Sequence, residues 1–289
     1  MTTEAPRAPR KIAVVPAFNE ESSVAAVLEA LYPKVDELLV VDDGSTDGTR
    51  AAIQAWLPGR DAAILVAFET NRGMSAAYYA AFGNLRARLQ NGTLHDDDLV
   101  FTIDADGQHD LAVLDALERV MVDERLDALI ARRNLSYHGW FKRAGNNLIS
   151  AWASLWAGST LHDIESGYRI FRLGALVDAL SYYEGFRYSE TVEVAVVLAR
   201  LGYRVRNDIE VAVPVHRSRT RVLDAVIDIA AIPCAALRVS FRDKFTDSFW
   251  TAEVQLPSAA RPQEKFHDAF HVAQGFRVRL CARDCLVTR

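Results

Sequence analysis

The sequence predicts an α/β fold: a Rossmann-like, mostly parallel central sheet with helices on both faces. Three observations carry that expectation. Short β-branched apolar runs alternate with stretches of helical spacing from residue 12 to residue 131. Strand, helix, strand, helix at this spacing joins parallel strands through right-handed crossovers. Polar clusters follow the runs, at the carboxyl ends of the strands, where open parallel sheets hold their ligands.

Residues 1–10 read as a disordered lead-in. Residues 12–15 form the first strand, which closes at Pro16. Asn19-Glu20-Glu21-Ser22 then precedes Val24, Val27, Leu28 and Leu31, an apolar helical face with Ser22 or Ser23 as its N-cap. Residues 38–41 are the second strand, and the turn 42–48 opens a helix over 49–57. Residues 63–68 are the third strand, and 69–73 lead into a long alanine-rich helix to Leu89. After a polar loop at 91–98, residues 99–103 form the fourth strand and run straight into Asp104. Residues 111–122 are helical and 126–131 form the fifth strand. The second half is less regular. Residues 132–139 form a loop, 140–157 and 190–201 helices, and 203–215 a strand-like stretch. Residues 222–241 are amphipathic, with Pro233 expected to kink them. Asp224, Asp228, Arg238 and Arg242 fall on one stripe of that helix, and Leu223, Ile227, Ala230, Leu237 and Phe241 on the other. Beyond Trp250 no period persists. The expected division is therefore a lead-in at 1–10, a main domain at 11–221, a helical extension at 222–250 and a tail at 251–289.

Composition excludes several classes. The 289 residues allow one large domain or one and a half, and 50% of them are hydrophobic. A net charge of −5 provides no basic field for nucleic acid. No G-x-G-x-x-G follows a strand and no G-x-x-x-x-G-K-[ST] occurs, so neither a dinucleotide fold nor a P-loop is signalled. Three cysteines make no disulfide framework and fit a reducing cytoplasm. No secretory signal opens the chain, and no uncharged apolar run reaches the roughly 18–20 residues that cross a bilayer.

The chemistry centres on Asp104-Ala105-Asp106. Residues i and i+2 of an extended segment share a face, so two carboxylates at a strand end can grip one hard cation. Mg²⁺ or Mn²⁺ prefers such oxygen ligands and shares them with substrate phosphates. Gln108 could add a carbonyl oxygen. The competing reading is a solvated acidic turn, and the converging polar clusters at 16–21, 42–47, 71–73 and 104–108 weigh against it. Asp43-x-Ser45-x-Asp47-Gly48 imitates a calcium loop, but Gln54 stands where that loop needs glutamate. His109, His162 and His216 are loop histidines and read as surface residues.

VVPAFNEE from Val14, VVDDGSTDGT from Val40, NRG from Asn71, DADGQHD from Asp104 and DIESGYRIF from Asp163 stand in one order along the chain. They resemble family 2 glycosyltransferases of the GT-A fold, and within them the dolichol-phosphate mannose synthase-like, polyprenyl-phosphate branch. The resemblance implies a nucleotide-sugar donor. It places Pro16, Phe18, Glu20 and Asp43 at the base and ribose, and Asn71 and Gly73 in the donor loop. It places Asp104, Ala105, Asp106 and Gln108 at the metal and diphosphate. Arg132 or Arg133 matches a family arginine. Asp163, Ser166, Gly167 and Arg169 match a D-x-x-S-G-F-R segment, with Tyr168 replacing phenylalanine, and Glu190 matches an acidic helix start. The chain departs from relatives at VHRSRTR from Val215, where they carry Gly-x-Ser-Lys after an arginine.

The implied reaction is metal-assisted, inverting transfer of a hexose from a GDP-mannose or UDP-glucose type donor. A phosphate monoester acceptor, with a second pKa of about 6, needs cations rather than a base. Arg132, Arg133, Lys142, Arg143, Arg169, Arg172, Arg217 and Arg219 supply cations in the second half, and Ser166 adds a hydroxyl. That favours a polyprenyl or dolichyl phosphate, reached at the inner face of a membrane. Residues 222–241 are the candidate contact, and packing of that helix on its own domain or on a second subunit is the competing reading. Asp163 then orients, or is the base if the acceptor is a hydroxyl. A soluble transferase acting on a hydroxyl and a non-catalytic sugar-nucleotide sensor are the other classes. A homo-oligomer is compatible with the sequence.

Overall fold

β1 (Lys11–Ala17), β2 (Glu37–Asp42), β3 (Ala63–Phe68) and β4 (Leu99–Thr102) are the parallel strands that the apolar runs predict, side by side in the order β3-β2-β1-β4. The structure, a computed structural model, describes residues 7–134, 140–183, 189–212, 222–241, 270–272, 276–278 and 285–288. α1 (Val24–Leu31), α2 (Thr49–Trp56) and α3 (Met74–Gln90) connect the four strands. Successive side chains of a strand face opposite ways. Ile12 and Val14 therefore enter one core, with α3, while Ala13 and Val15 enter the other, with α1 and α2. Both faces are covered, so the strands are continuously apolar rather than alternating.

β1 extends through Pro16 rather than closing there. The Val14 carbonyl accepts from Ile103 N–H, so the ring nitrogen two residues on points to the same side. β4 pairs with β1 only as far as Val14 and Thr102, so the missing N–H of Pro16 breaks no ladder bond.

A 3₁₀ turn (Leu111–Val113) precedes α4 (Leu114–Asp123), and Asp110 caps it by accepting from Ala112 N–H at 2.9 Å. β5 (Ala128–Ile130) follows, but it does not lie beside β4. β7 (Arg169–Arg172) is inserted antiparallel between them, pairing Thr102 with Arg169 and Ile130 with Arg169 on its two sides. The end of the DIESGYRIF segment is thus a central strand, with Ile170 and Phe171 fully buried on opposite faces. α6 (Leu173–Leu180) follows it directly. It is absent from the sequence expectation because no breaker separates it from β7.

α5 (Trp140–Ala157) and α7 (Glu190–Arg200) form as expected. The strand-like stretch after residue 203 resolves into β8 (Val205–Arg206), parallel to β5, and β9 (Glu210–Val211), parallel to β6 (Arg132–Arg133). α8 (Val222–Phe241) runs through Pro233 as one helix and packs on α5 and α7. The stripe that holds Asp228 and Arg238 faces the body of the protein, and the stripe that holds Leu237 and Phe241 faces out. Asp228, Ile232, Ala235 and Ala236 are buried, and Arg238 donates to Glu193 Oε2 at 2.6 Å, while Leu237 and Phe241 stay exposed. Two alanines allow close approach to the body, and a buried acid on α7 draws the arginine inward.

The tail contributes β10 (Phe270–Val272) and β11 (Phe276–Val278) as a separate hairpin, and β12 (Cys285–Thr288), antiparallel on the free edge of β3. The sheet order is β12-β3-β2-β1-β4-β7-β5-β8. The tail, without period in the sequence, supplies an edge strand, and pairing satisfies an edge that would otherwise stay open.

Candidate functional site

Three loops at the carboxyl ends of β1, β2 and β3 are stitched together by their own short polar side chains. Asn19 N–H donates to Ser45 Oγ at 3.0 Å, and Thr46 N–H donates to Asn19 Oδ1 at 2.9 Å. Glu20 N–H donates to Thr49 Oγ1 at 2.7 Å, and Gly48 N–H to Glu21 Oε2 at 3.0 Å. Ser23 stands at the N-cap of α1 as expected, yet its hydroxyl bonds Glu20 instead of the helix backbone. Gly44, at φ +66°, lies so close to the next loop that a Cβ would sit 2.2 Å from the Thr70 carbonyl carbon. Only glycine permits that backbone contact and that dihedral angle. Of the sequence-predicted donor residues, Phe18, Glu20, Asp43, Asn71 and Gly73 lie on these loops, and Pro16 lies just before them, within β1.

Asp43 closes the group. Its carboxylate accepts from Arg72 N–H at 2.7 Å and Gly73 N–H at 2.9 Å. Burial pushes its pKa up to about 6, against the pull of those two N–H groups, with Asp42 adding repulsion. The folded pKa exceeds the usual 3.8, so the contribution of Asp43 to stability is complete below pH 3.8 and is lost as pH rises through about 6. At neutral pH the fold holds an ionised, confined carboxylate that can accept a further donor. Nucleoside affinity, measured by calorimetry with a ligand that carries no titrating phosphate, is therefore expected to fall several-fold between pH 7 and pH 5. Asp43→Asn should remove that pH dependence, and a variant that keeps it would take Asp43 out of the site.

At the end of β4, Asp104 lies under the backbone of Gly167 and beside His109. Its carboxylate is 29% exposed. Burial alone would raise its pKa, but the His109 imidazole, with Arg169 and Arg133, holds it below the usual carboxylate range. Asp106 is half-buried, and its Oδ1 accepts from Gln108 N–H at 2.9 Å. Ala105, between them, is buried. Among the described residues no three His, Cys, Asp or Glu side chains gather into a closed cation cage. The pair is an open one, which suits an ion that completes its shell with water and phosphate oxygens.

Asp163, buried and at φ +39°, meets Arg133 head-on. Arg133 donates to it from its backbone N–H at 2.7 Å, from Nε at 2.9 Å and from a terminal nitrogen at 2.6 Å. With its side-chain amide assigned so that nitrogen faces acceptors, Asn146 of α5 donates to Asp163 Oδ1 at 2.9 Å and to Glu165 at 3.2 Å. The donors on Arg133 and Asn146 hold this carboxylate in one orientation.

Asp163 and Arg133 form one wall of a cleft of about 710 Å³. Arg132, Arg143, Asn147, Ser150, His162 and Glu210 are among the residues that line it. Arg132 and Arg143 are exposed and make no ion pair among the described residues. Of the described residues expected to act in catalysis or on the acceptor, Arg169, Glu190 and Ser166 do not reach the cleft. Arg169 and Glu190 have no side-chain exposure and bond each other through two contacts of 2.8 and 2.9 Å. The guanidinium packs over Tyr78 and Phe171 at 5.3 and 5.6 Å from their ring centres. Burial would lower the Arg169 pKa, and the Glu190 carboxylate more than reverses that. Ser166 is fully buried as well, with no partner for its hydroxyl. The expectation that Arg169 and Ser166 meet an acceptor phosphate is corrected: Arg169 opens the central strand β7 and is tied to Glu190 in the core, and Ser166, in the turn before β7, is enclosed with it. Arg172 is turned to Leu126 O and Asp97. Arg217, Arg219 and the side chain of Lys142 lie outside the described residues.

Sequence reasoning passed over His109 and Asn146. His109 reads as a loop histidine, but its side chain is 5% exposed. Asn146 carries no motif, and only helix packing brings it to Asp163.

A sequence model described as Glycosyl transferase family 2 matches residues 12–177. The dodecaprenyl-phosphate galacturonate synthase of Rhizobium johnstonii is 31% identical over 172 residues, 55% of this chain and 46% of that protein. The chain thus spans about half the length of that relative. The undecaprenyl-phosphate mannosyltransferase of Micrococcus luteus is 30% identical over 209 residues, 68% of this chain and 80% of that one. In three dimensions the chain is similar to glucosyl-3-phosphoglycerate synthase from Mycobacterium tuberculosis, crystallised with Mn²⁺, uridine-diphosphate-glucose and phosphoglyceric acid. The TM-score is 0.58 at 20% identity, covering 79% of this chain and 80% of that one, so the two share a fold.

Proposed function

The chain belongs to glycosyl transferase family 2, and from that premise we propose that it transfers a hexose from a nucleoside-diphosphate sugar to a polyprenyl phosphate at a membrane surface. The observation that carries the reading is the cleft beside Asp163, with Arg132 and Arg143 unpaired among the described residues. Guanidinium forks suit phosphate oxygens, and a phosphate dianion attacks without a base. The tied state of Asp163 fits that choice. The donor's base and ribose lie on the loops held by Asp43. Asp104 and Asp106 would hold Mg²⁺ or Mn²⁺, which as a Lewis acid stabilises charge developing on the departing diphosphate. Attack from the opposite face inverts the anomeric centre.

The apolar partner for the lipid lies on α5. Trp140, Leu148 and Leu155 are 74%, 64% and 71% exposed, and with Ala144 and Ala151 they recur at helical spacing beside the cleft. α5 contains Lys142 and Arg143 and no acidic residue. Trp152 donates from its indole to Ile229 O at 3.0 Å, which joins the stripe to exposed Ile229, Leu237 and Phe241 of α8. Such a face lies in a headgroup interface rather than through it, and no described helix is long and apolar enough to cross a membrane. The names of the two relatives, both transferases of prenyl phosphates, support the same acceptor.

The test uses the nucleotide sugar that the chain turns over, Mn²⁺, and farnesyl phosphate as a soluble acceptor. Arg132→Ala and Arg143→Ala should each raise the KM for farnesyl phosphate by about 10–100-fold, the worth of one charged hydrogen bond, and leave slow donor hydrolysis unchanged. Leu148→Glu and Leu155→Glu should lower transfer to undecaprenyl phosphate in vesicles but not to farnesyl phosphate. Silent arginines, a severe Asp163→Asn defect and a parent rate that falls at low pH as the base protonates would together replace the lipid phosphate with a hydroxyl acceptor.

A further inference from the structure

The turn after β4 ends in an imidazole that the proposed chemistry leaves unused. His109 is nearly enclosed, and both of its nitrogens face one residue. Asp104 N–H donates to His109 Nδ1 at 3.2 Å, and His109 Nε2 lies 3.3 Å from Asp104 Oδ2. Because Nδ1 accepts, the ring proton is on Nε2 and is directed at the carboxylate. The ring stacks on Tyr168, with centres 4.8 Å apart and planes 12° from parallel. Tyr168 is itself buried, and its hydroxyl donates to Asp110 O at 3.2 Å. The plate that supports the imidazole is therefore anchored to the turn that carries it.

We propose that His109 is a positioning residue for the cation site: it fixes the carboxylate of Asp104 in the orientation that meets the metal. The inference rests on the reading of Asp104 and Asp106 as the ion's ligands. An aspartate χ2 is a broad torsion with no deep minimum of its own. A carboxylate at a strand end therefore swings unless something holds it. Asp104 is bounded on one side by the Gly167 backbone and on the other by His109 Nε2. Asp106 is held differently, by the N–H of Gln108 within the same turn. One turn, 106–109, thus orients both acids, one through backbone and one through an imidazole. Ligand carboxylates that are themselves hydrogen-bonded keep their orientation, and losing such a partner typically costs 10–100-fold in metal affinity.

The experiment measures Mn²⁺ affinity of the full chain by the paramagnetic resonance signal of free Mn²⁺, with the metal alone and with inorganic pyrophosphate. Three substitutions separate the ring's contacts. His109→Phe keeps the stack on Tyr168 and removes both polar contacts. His109→Asn retains a polar atom near the Nδ1 position, facing Asp104 N–H. His109→Gln retains an amide donor near the Nε2 position, facing the carboxylate. The dissociation constant should rise about 10–100-fold for Phe and Asn, and Gln should stay within about threefold of the parent. Wild-type affinity in the Phe variant, or equal affinities for Asn and Gln, overturns the inference. The Asn and Gln pair decides the matter even if the Phe variant does not fold. Asp104→Asn guards the premise. If it binds Mn²⁺ like the parent, the metal reading itself fails. If it loses Mn²⁺ while His109→Phe does not, the positioning role alone is wrong.

Discussion

Glu190→Ala is expected to destabilise the protein by about 3–5 kcal/mol, the cost of leaving a buried charge without its partner. Arg169 and Glu190 have no side-chain exposure, and water cannot reach either group to compensate. The guanidinium also lies against Tyr78 and Phe171, so it cannot swing to the surface without opening the core between α3 and β7. Its Nε–H already lacks a partner, and removing the carboxylate would orphan the terminal nitrogens too. Urea unfolding of Glu190→Ala and Arg169→Met, singly and together, would measure the pair. The double variant should recover much of the loss, because replacing both charges with apolar groups is often near neutral. Additive single effects would mean that the two side chains do not act as a unit. Transfer by the double variant, once folded, separates positioning from chemistry. An active double variant is expected if the pair only holds β7 against α7, and an inactive one would return Arg169 or Glu190 to a direct role.

Gly167→Ala should lower transfer by about two powers of ten while leaving the fold intact. A Cβ at this position would sit 2.5 Å from Asp104 Oδ2 and 3.0 Å from Asp104 Cγ, closer than real side chains approach. The backbone of Gly167 cannot retreat easily, since Thr102 Oγ1 donates to Gly167 O at 2.6 Å and ties it to β4. The strain is relieved at the carboxylate, the one movable party. Misplacing a reacting or ligating group by about 1 Å costs on the order of 100-fold. The melting temperature should change little, and Mn²⁺ affinity should fall in parallel with transfer. Gly167→Ala with full activity would mean that Asp104 does not need its present orientation, and the site would have to be redrawn around Asp106.

The first 131 residues were largely legible from local pattern. Residues 63–68 are β3 as expected, and the other strands of that half differ from expectation by a few residues at their ends. The N-cap position of α1 and the start of α5 were equally plain. Such features depend on the residues inside a short window: apolar period, β-branching, a cap, a glycine. The candidate site was legible to the same depth. Its four loops end the strands that the runs define, so Asp43, Asp104 and Asp106 could be placed without coordinates.

Partners across the sequence were not legible. Nothing near Arg169 announces that β7 enters antiparallel between β4 and β5, and that insertion is what turns Arg169 from an expected phosphate contact into a core residue. Nothing in residues 222–241 says that Asp228 and Arg238 face inward, because the deciding group, Glu193, lies on another helix. The same holds for β12 on the edge of β3, for Asn146 against Asp163 and for His109 against Tyr168. By itself the sequence determined which segments are strands and helices, and which loops carry carboxylates. The tertiary structure decided which charges are paired, buried or left open. An ion pair or a strand neighbour depends on contacts between residues distant in the chain, and no local period encodes which of many compatible partners wins.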